Sequence, residues 1–138
     1  RKAAWREMEA LYDEGRIRAL GLSSFNIEVL SELFSYARVK PVYLQNKFTV
    51  YQPGDVNEAT QDASLMEWLR AHDVIMVGFS VINPGHWSSS YLEPLRDPHV
   101  LAIARRLGRS ASQVLHRWVL QLGAAVIPRS SQRQRINE

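Results

Sequence analysis

Val74-Ile75-Met76-Val77-Gly78-Phe79-Ser80 is a near-continuous apolar run that stops at a serine. Strands buried on both faces read this way, and sheets covered on both faces are mostly parallel. Upstream, Leu65, Trp68 and Leu69 recur on one side of a helix over Glu58 to His72. Downstream, Asn83 to Arg96 holds Pro, Gly and three consecutive Ser, the composition of a long loop. Parallel neighbours need crossovers of helical length, so this run sets the reading of the chain around it.

The same alternation extends toward both ends. Trp5, Met8, Leu11 and Tyr12 mark one face of an opening helix, which Gly15 stops. Ile17 to Ser23 reads as a short strand containing a glycine, and Asn26 caps a helix whose stripe is Ile27, Leu30, Leu33 and Phe34. Pro41 opens a strand over Val42 to Phe48, followed by a loop of Gln52, Pro53, Gly54, Asp55 and Asn57. Asp97-Pro98 starts a helix with Val100, Ile103, Ala104 and Leu107 inward. Ser110-Ala111-Ser112-Gln113 fits a capping box for another, with Val114, Leu115, Trp118 and Leu122 inward. Gly123 ends it, and Ala124 to Ile127 is a fourth strand. The order is α-β-α-β-α-β-α-α-β, then the start of a helix, in one α/β domain over residues 1–138.

In a parallel sheet every strand-to-helix junction lies on the carboxyl edge, where such folds bind ligands. Here those junctions are Ser23–Asn26, Gln45–Lys47, Phe79–Asn83 and Arg129–Ser131, polar and aromatic rather than apolar. The last one is a strand emptying into Arg, Ser and a helix start. Guanidinium forks, hydroxyls and free backbone N–H groups suit a phosphate there. The alternative is a cluster of solvated arginines, which the helix dipole disfavours unless an anion is near.

Composition narrows the classes. The net charge is +3, and the basic residues are scattered without a run interleaved with aromatics, so nucleic acid is not the expected partner. No cysteine is present, which excludes disulfides, a thiol nucleophile and cysteine metal sites in this segment. Val74 to Ile82 is about half of what a membrane span needs, and the N-terminus lacks a secretory pattern; a cytoplasmic protein without membrane contact is expected. His72, His86, His99 and His116 do not have metal-ligand spacing. Trp5, Trp68 and Trp118 read as packing residues, leaving loop residue Trp87 as the tryptophan available for a ligand.

Trp5-Arg6-Glu7-Met8-Glu9, followed by Gly15-Arg16-Ile17-Arg18-Ala19-Leu20-Gly21-Leu22-Ser23-Ser24-Phe25-Asn26, resembles the aldo-keto reductase pattern W-x-x-M-E…G-K-I-R-x-I-G-V-S-N-F. Pro41-Val42-Tyr43-Leu44-Gln45-Asn46 is similar to that family's strand with a nicotinamide-binding Gln. Gln113-Val114-Leu115, Arg117-Trp118, Gln121 and Val126-Ile127-Pro128-Arg129-Ser130 resemble its Q-V-L-L-R-W-x-L-Q-x-G…V-I-P-K-S signature. The resemblance implies the C-terminal half of a (β/α)8 TIM barrel of the NADP-linked oxidoreductase type, truncated at both ends. The family binds its dinucleotide without a Rossmann motif, and no G-x-G-x-x-G occurs here. It also implies that the Asp, Tyr, Lys and His of proton transfer lie in the other half.

By the same resemblance, Arg129, Ser130 and Arg135 form a clamp for the 2′-phosphate of NADP, with Glu138 near the adenine. Ser23, Ser24 and Gln45 face the nicotinamide carboxamide, although the family has Asn where this chain has Ser24. Ser24 can equally be a turn serine, with the contact moved to Asn26. Phe79 stands where the family stacks a Tyr on the nicotinamide; a core phenylalanine is the rival reading. Ser80 and Ile82 address the pyrophosphate, and Asn83 to Arg96 forms a flap with Gly85 as a hinge. The function implied is the cofactor-binding half of an NADPH-dependent reductase of aldehydes or ketones. Two other readings stand beside it: a non-catalytic NADPH-binding relative similar to potassium-channel β subunits, or an inactive remnant. With one sheet face open, the isolated segment is expected to self-associate or to need the other half-barrel.

Overall fold

The computed structural model describes residues 1–53, 64–82 and 93–137. Helix α1 (Lys2–Asp13) leads into β1 (Gly21–Ser23), α2 (Ile27–Tyr36) and β2 (Tyr43–Thr49). A short strand, β3 (Gln52–Pro53), precedes α3 (Ser64–Ala71) and β4 (Ile75–Phe79). A 3-10 turn at Pro94–Arg96 then leads to α4 (Pro98–Leu107), α5 (Ala111–Gln121), β5 (Ala125–Val126) and α6 (Arg133–Ile136). No helix among the described residues is long and apolar enough to cross a membrane.

The sheet order is β1-β2-β4-β5, and each neighbouring pair is parallel. Strands that follow one another in sequence lie side by side, with no reversal of direction across the sheet. Uniform crossover handedness then puts the connecting helices on one face, which is barrel winding rather than the doubly wound arrangement. The fold is therefore α/β of the (β/α) barrel type.

Alternation along the strands separates two faces. On β2 and β4 the helix-facing row is Leu44, Asn46, Phe48, Met76 and Gly78, all buried. Against it pack Leu30 of α2, Leu65 and Leu69 of α3 and Leu115 and Val119 of α5. Burying one such aliphatic side chain contributes about 1.5–3 kcal/mol. The other row carries Tyr43, Gln45, Lys47, Ile75, Val77 and Phe79, and Ile75 is 56% exposed. The run at 74–80 was expected to be covered on both faces, whereas among the described residues helices cover only one.

A second, smaller core joins α1 to α2 through Trp5, Leu20, Leu33 and Ala37. The Trp5 indole donates to the Val39 carbonyl at 3.1 Å, and Glu9 accepts from the Arg38 and Val39 N–H groups at 2.7 and 2.9 Å. These bonds, the Val39 N–H foremost, hold the Glu9 carboxyl below the usual carboxylate range. Tyr12, expected on the buried face, is exposed, and Glu9 occupies the buried position instead.

Local signals place the helix starts. Asn26 accepts from Val29 N–H at 3.0 Å, and Asp97 accepts from His99 and Val100 N–H. Ser110 and Gln113 complete the capping box reciprocally. Two expectations change. Strand β1 is shorter than Ile17 to Ser23, and the loop after β2 begins as a hairpin, with β3 antiparallel to β2 and Pro53 opposite Phe48. A proline fits there because an outer strand leaves its N–H side unpaired. The start of the helix expected from Glu58 lies outside the described residues, as do most of the expected flap, Gly85, Trp87 and Glu138.

Candidate functional site

All four parallel strands end on one edge, and two of those ends carry non-glycine residues in the left-handed region. Ser24 after β1 has φ 62° and Ser80 after β4 has φ 56°. Residues other than Gly, Asn and Asp seldom adopt this conformation, and where they do the surroundings hold them there. At Ser24 the holder is visible. Its N–H donates to the Gln45 carbonyl at 3.0 Å and to Asn46 Oδ1 at 2.9 Å, while Asn46 Nδ2 donates to the Phe25 carbonyl at 3.0 Å. Asn46 is fully buried on the helix-facing row, so its amide fixes the β1–α2 junction from beneath.

The open face of the sheet brings together one subset of the expected residues. Ser23 and Gln45 are register partners, Gln45 also pairs with Val77, and Phe79 pairs with Lys47. Ser23 Oγ and Ser24 Oγ lie 3.4 Å apart at the exposed end of this row. Two hydroxyls, a carboxamide and a half-buried phenyl ring thus lie on neighbouring strand ends. Hydroxyl and amide groups can match both the acceptor and the donors of a planar amide, and the ring offers a stacking face.

The other subset lines a cleft of about 1210 Å³ between α4, α5 and the segment after β5. Arg129, Ser130 and Arg135 line it together with Ile82. Ile103 and Leu107, expected inward, are 38% and 56% exposed and form part of its apolar wall. A smaller cavity of about 350 Å³ adjoins it at the end of β4 and is lined by Gly78, Ser80, Ile82 and Arg129. Ser130 Oγ accepts from Gln132 N–H at 3.1 Å, which shapes the turn into α6. No carboxylate among the described residues lines either cavity.

Ser23, Ser24, Gln45 and Phe79 line neither cavity, while Ser80, Ile82, Arg129, Ser130 and Arg135 do. Three residues near the site were given no individual binding role from sequence. Lys47 follows Gln45 on the same open row, a position that strand alternation could have flagged. Asn46 is a polar residue on the buried row, which is itself a signal. His116 lines both cavities, and nothing in the helical periodicity marks it.

A barrel-wound α/β sheet with its polar strand ends on one edge, beside a basic cleft, is the architecture of β/α proteins that bind ligands at that edge. The sequence profile of the Aldo/keto reductase family matches residues 1–138, and the chain belongs to that family. It is 31% identical over 136 residues to a family 4 aldo-keto reductase of Arabidopsis thaliana, covering 99% of this chain and 41% of that protein. It is 33% identical to the NADH-dependent D-xylose reductase of Candida parapsilosis, covering 96% and 40%. Among solved structures, an aldo-keto reductase complexed with NADPH superposes with a TM-score of 0.81 at 28% identity, covering 97% of this chain and 40% of that one. The aldose reductase of Schistosoma japonicum gives 0.80 at 30% identity, covering 98% and 39%. The chain thus spans about two fifths of the length of these relatives.

Proposed function

We propose that this chain is the cofactor-holding part of a longer NADPH-dependent reductase that converts aldehydes or ketones to alcohols. The observation that carries the reading is the cleft shared by Arg129, Ser130 and Arg135, two guanidinium groups and a hydroxyl, with no carboxylate among its described lining residues. That donor set fits the 2′-phosphate of NADPH, because charge-assisted and bidentate bonds to a phosphate are strong and directional. Ser80 and Ile82, next along the strand ends, would hold the pyrophosphate. Ser23, Ser24 and Gln45 would orient the carboxamide, and Phe79 would carry the ring on its face.

A bound nicotinamide dinucleotide supplies the hydride that a carbonyl carbon accepts. This chain's part is to fix the ring so that one face points at the substrate, a gain that comes from orientation. The proton for the carbonyl oxygen would come from a tyrosine outside these residues, as the family resemblance implies. The likeness to an NADH-dependent xylose reductase shows that family membership alone does not decide the preference for phosphate; the paired arginines favour NADPH.

Fluorescence titration of the full-length protein tests this: NADPH should bind more tightly than NADH, and equal affinities would remove the 2′-phosphate assignment. For the isolated chain we propose self-association through the open sheet face, where Tyr43 and Ile75 are 39% and 56% exposed. Sedimentation should show dimers or larger species; a monodisperse monomer would contradict it.

A further inference from the structure

His116 and Arg129 are the two polar residues that line both the large cleft and the smaller cavity at the end of β4. The residues they share otherwise are Ile82 and Pro128, which offer no side-chain donor. His116 lies in mid-α5, half-buried, where the family signature quoted above has Leu. We infer that His116 is a phosphate-binding residue of this dinucleotide cleft, gripping the phosphate chain with Arg129 where it passes from the end of β4 toward the arginine cluster. The inference rests on the proposed dinucleotide reading and adds a residue, and a dependence on pH, that the reading does not contain.

The surroundings set the sign. The charged groups lining the cleft are Arg109 before α5, Arg117 on α5 itself, Arg129 after β5 and Arg135 on α6. Helix α4 and the 3-10 turn contribute Ile103, Leu107 and Leu95, which carry no charge. Ser112 Oγ lies 3.4 Å from His116 Nδ1. Burial pushes the imidazole below its ordinary range, with the Ser112 backbone acting in the opposite direction. Without ligand, burial therefore favours the neutral imidazole. The negative charge of the phosphate chain within reach favours the imidazolium, so binding takes up a proton and the contribution of His116 grows as pH falls.

The test is NADPH affinity of the full-length protein, followed by tryptophan fluorescence from pH 8 to pH 5.5, for wild type, His116→Leu and His116→Gln. The 2′-phosphate's own protonation, with a second pKa of about 6, weakens binding in acid but is common to all three proteins. The wild-type to variant affinity ratio thus isolates the imidazole. It should rise about tenfold across this range, the equivalent of one pKa unit. The Gln variant keeps a polar side chain without a titrating ring, so it must lose the pH dependence as Leu does. A ratio that stays flat while NADPH still binds best overturns this inference and leaves the proposed function intact. Failure of NADPH to bind overturns both. The same rise with NADH supports the contact with the phosphate chain, and a rise confined to NADPH overturns it in favour of the 2′-phosphate.

Discussion

The side-chain amide of Asn46 holds Ser24 from the neighbouring strand, accepting its N–H at 2.9 Å while Ser24 sits at φ 62°. The same amide donates to the Phe25 carbonyl, so one buried side chain satisfies two backbone groups of a junction that faces the site. Asn46→Leu leaves the Phe25 carbonyl without that donor. Its expected cost is about 1–3 kcal/mol, seen as a lower urea midpoint with an unchanged slope. An unaltered midpoint would show that the junction holds itself.

Tyr51 ties the β2–β3 turn to α4 by donating its hydroxyl to Asp97 at 2.8 Å, while Asp97 caps the helix. The Tyr51 hydroxyl, then the Val100 N–H, hold the Asp97 carboxyl below the usual carboxylate range. A carboxyl with a lowered folded-state pKa adds stability above its unfolded value and loses it as pH falls through the folded one. Tyr51→Phe should therefore be less stable than wild type at pH 7, with the gap closing toward pH 2. Urea melts across this range check it; a gap of constant size would point to packing alone.

Gly78 leaves room for α5 against the sheet. A methyl group there would sit 2.9 Å from Phe48 Cβ and 3.5 Å from Val119. Both neighbours are fully buried, and a Cβ cannot swing away as a side-chain tip can. Gly78→Ala should cost about 1–3 kcal/mol by overpacking, measured by chemical denaturation. A neutral result would mean that α5 slides freely on β4.

Arg129 lines both cavities and Arg135 only the larger. Arg135→Ala should lower NADPH affinity about tenfold or more and spare NADH. Arg129→Ala should weaken both cofactors. Titrations with each cofactor, repeated at rising salt, check whether Arg129 also reaches toward the end of β4 in addition to the 2′-phosphate; an Arg129 variant that spared NADH would confine it to the 2′-phosphate.

Legibility in the sequence followed the range of the interaction. The caps at Asn26, Asp97 and Ser110 join residues two or three apart, and they form as read. The β/α alternation was equally plain, because strand and helix periods differ. Hairpin strand β3 spans two residues, too short to show a period. Ile103 and Leu107 show the limit of a helical stripe: it marks an apolar face without saying whether anything covers it. The candidate site divided in the same way. The arginine-serine segment after β5 stood out locally, whereas Asn46 and His116 act across 22 residues of sequence or through a cleft formed by several elements.

The sequential strand order also bears on how the chain can assemble as it is made. Leu22 pairs with Leu44, Leu44 with Met76, and Val77 with Ala125, so each parallel strand docks on one already synthesised. None of the described parallel strands needs to wait for a later one to be inserted beside it, and each closure spans the one or two helices between neighbouring strands rather than the whole chain. A ribosome releasing this stretch of polypeptide could thus add to the sheet edge in order, and the cleft between α5 and the segment after β5 would form only after the strands that precede it.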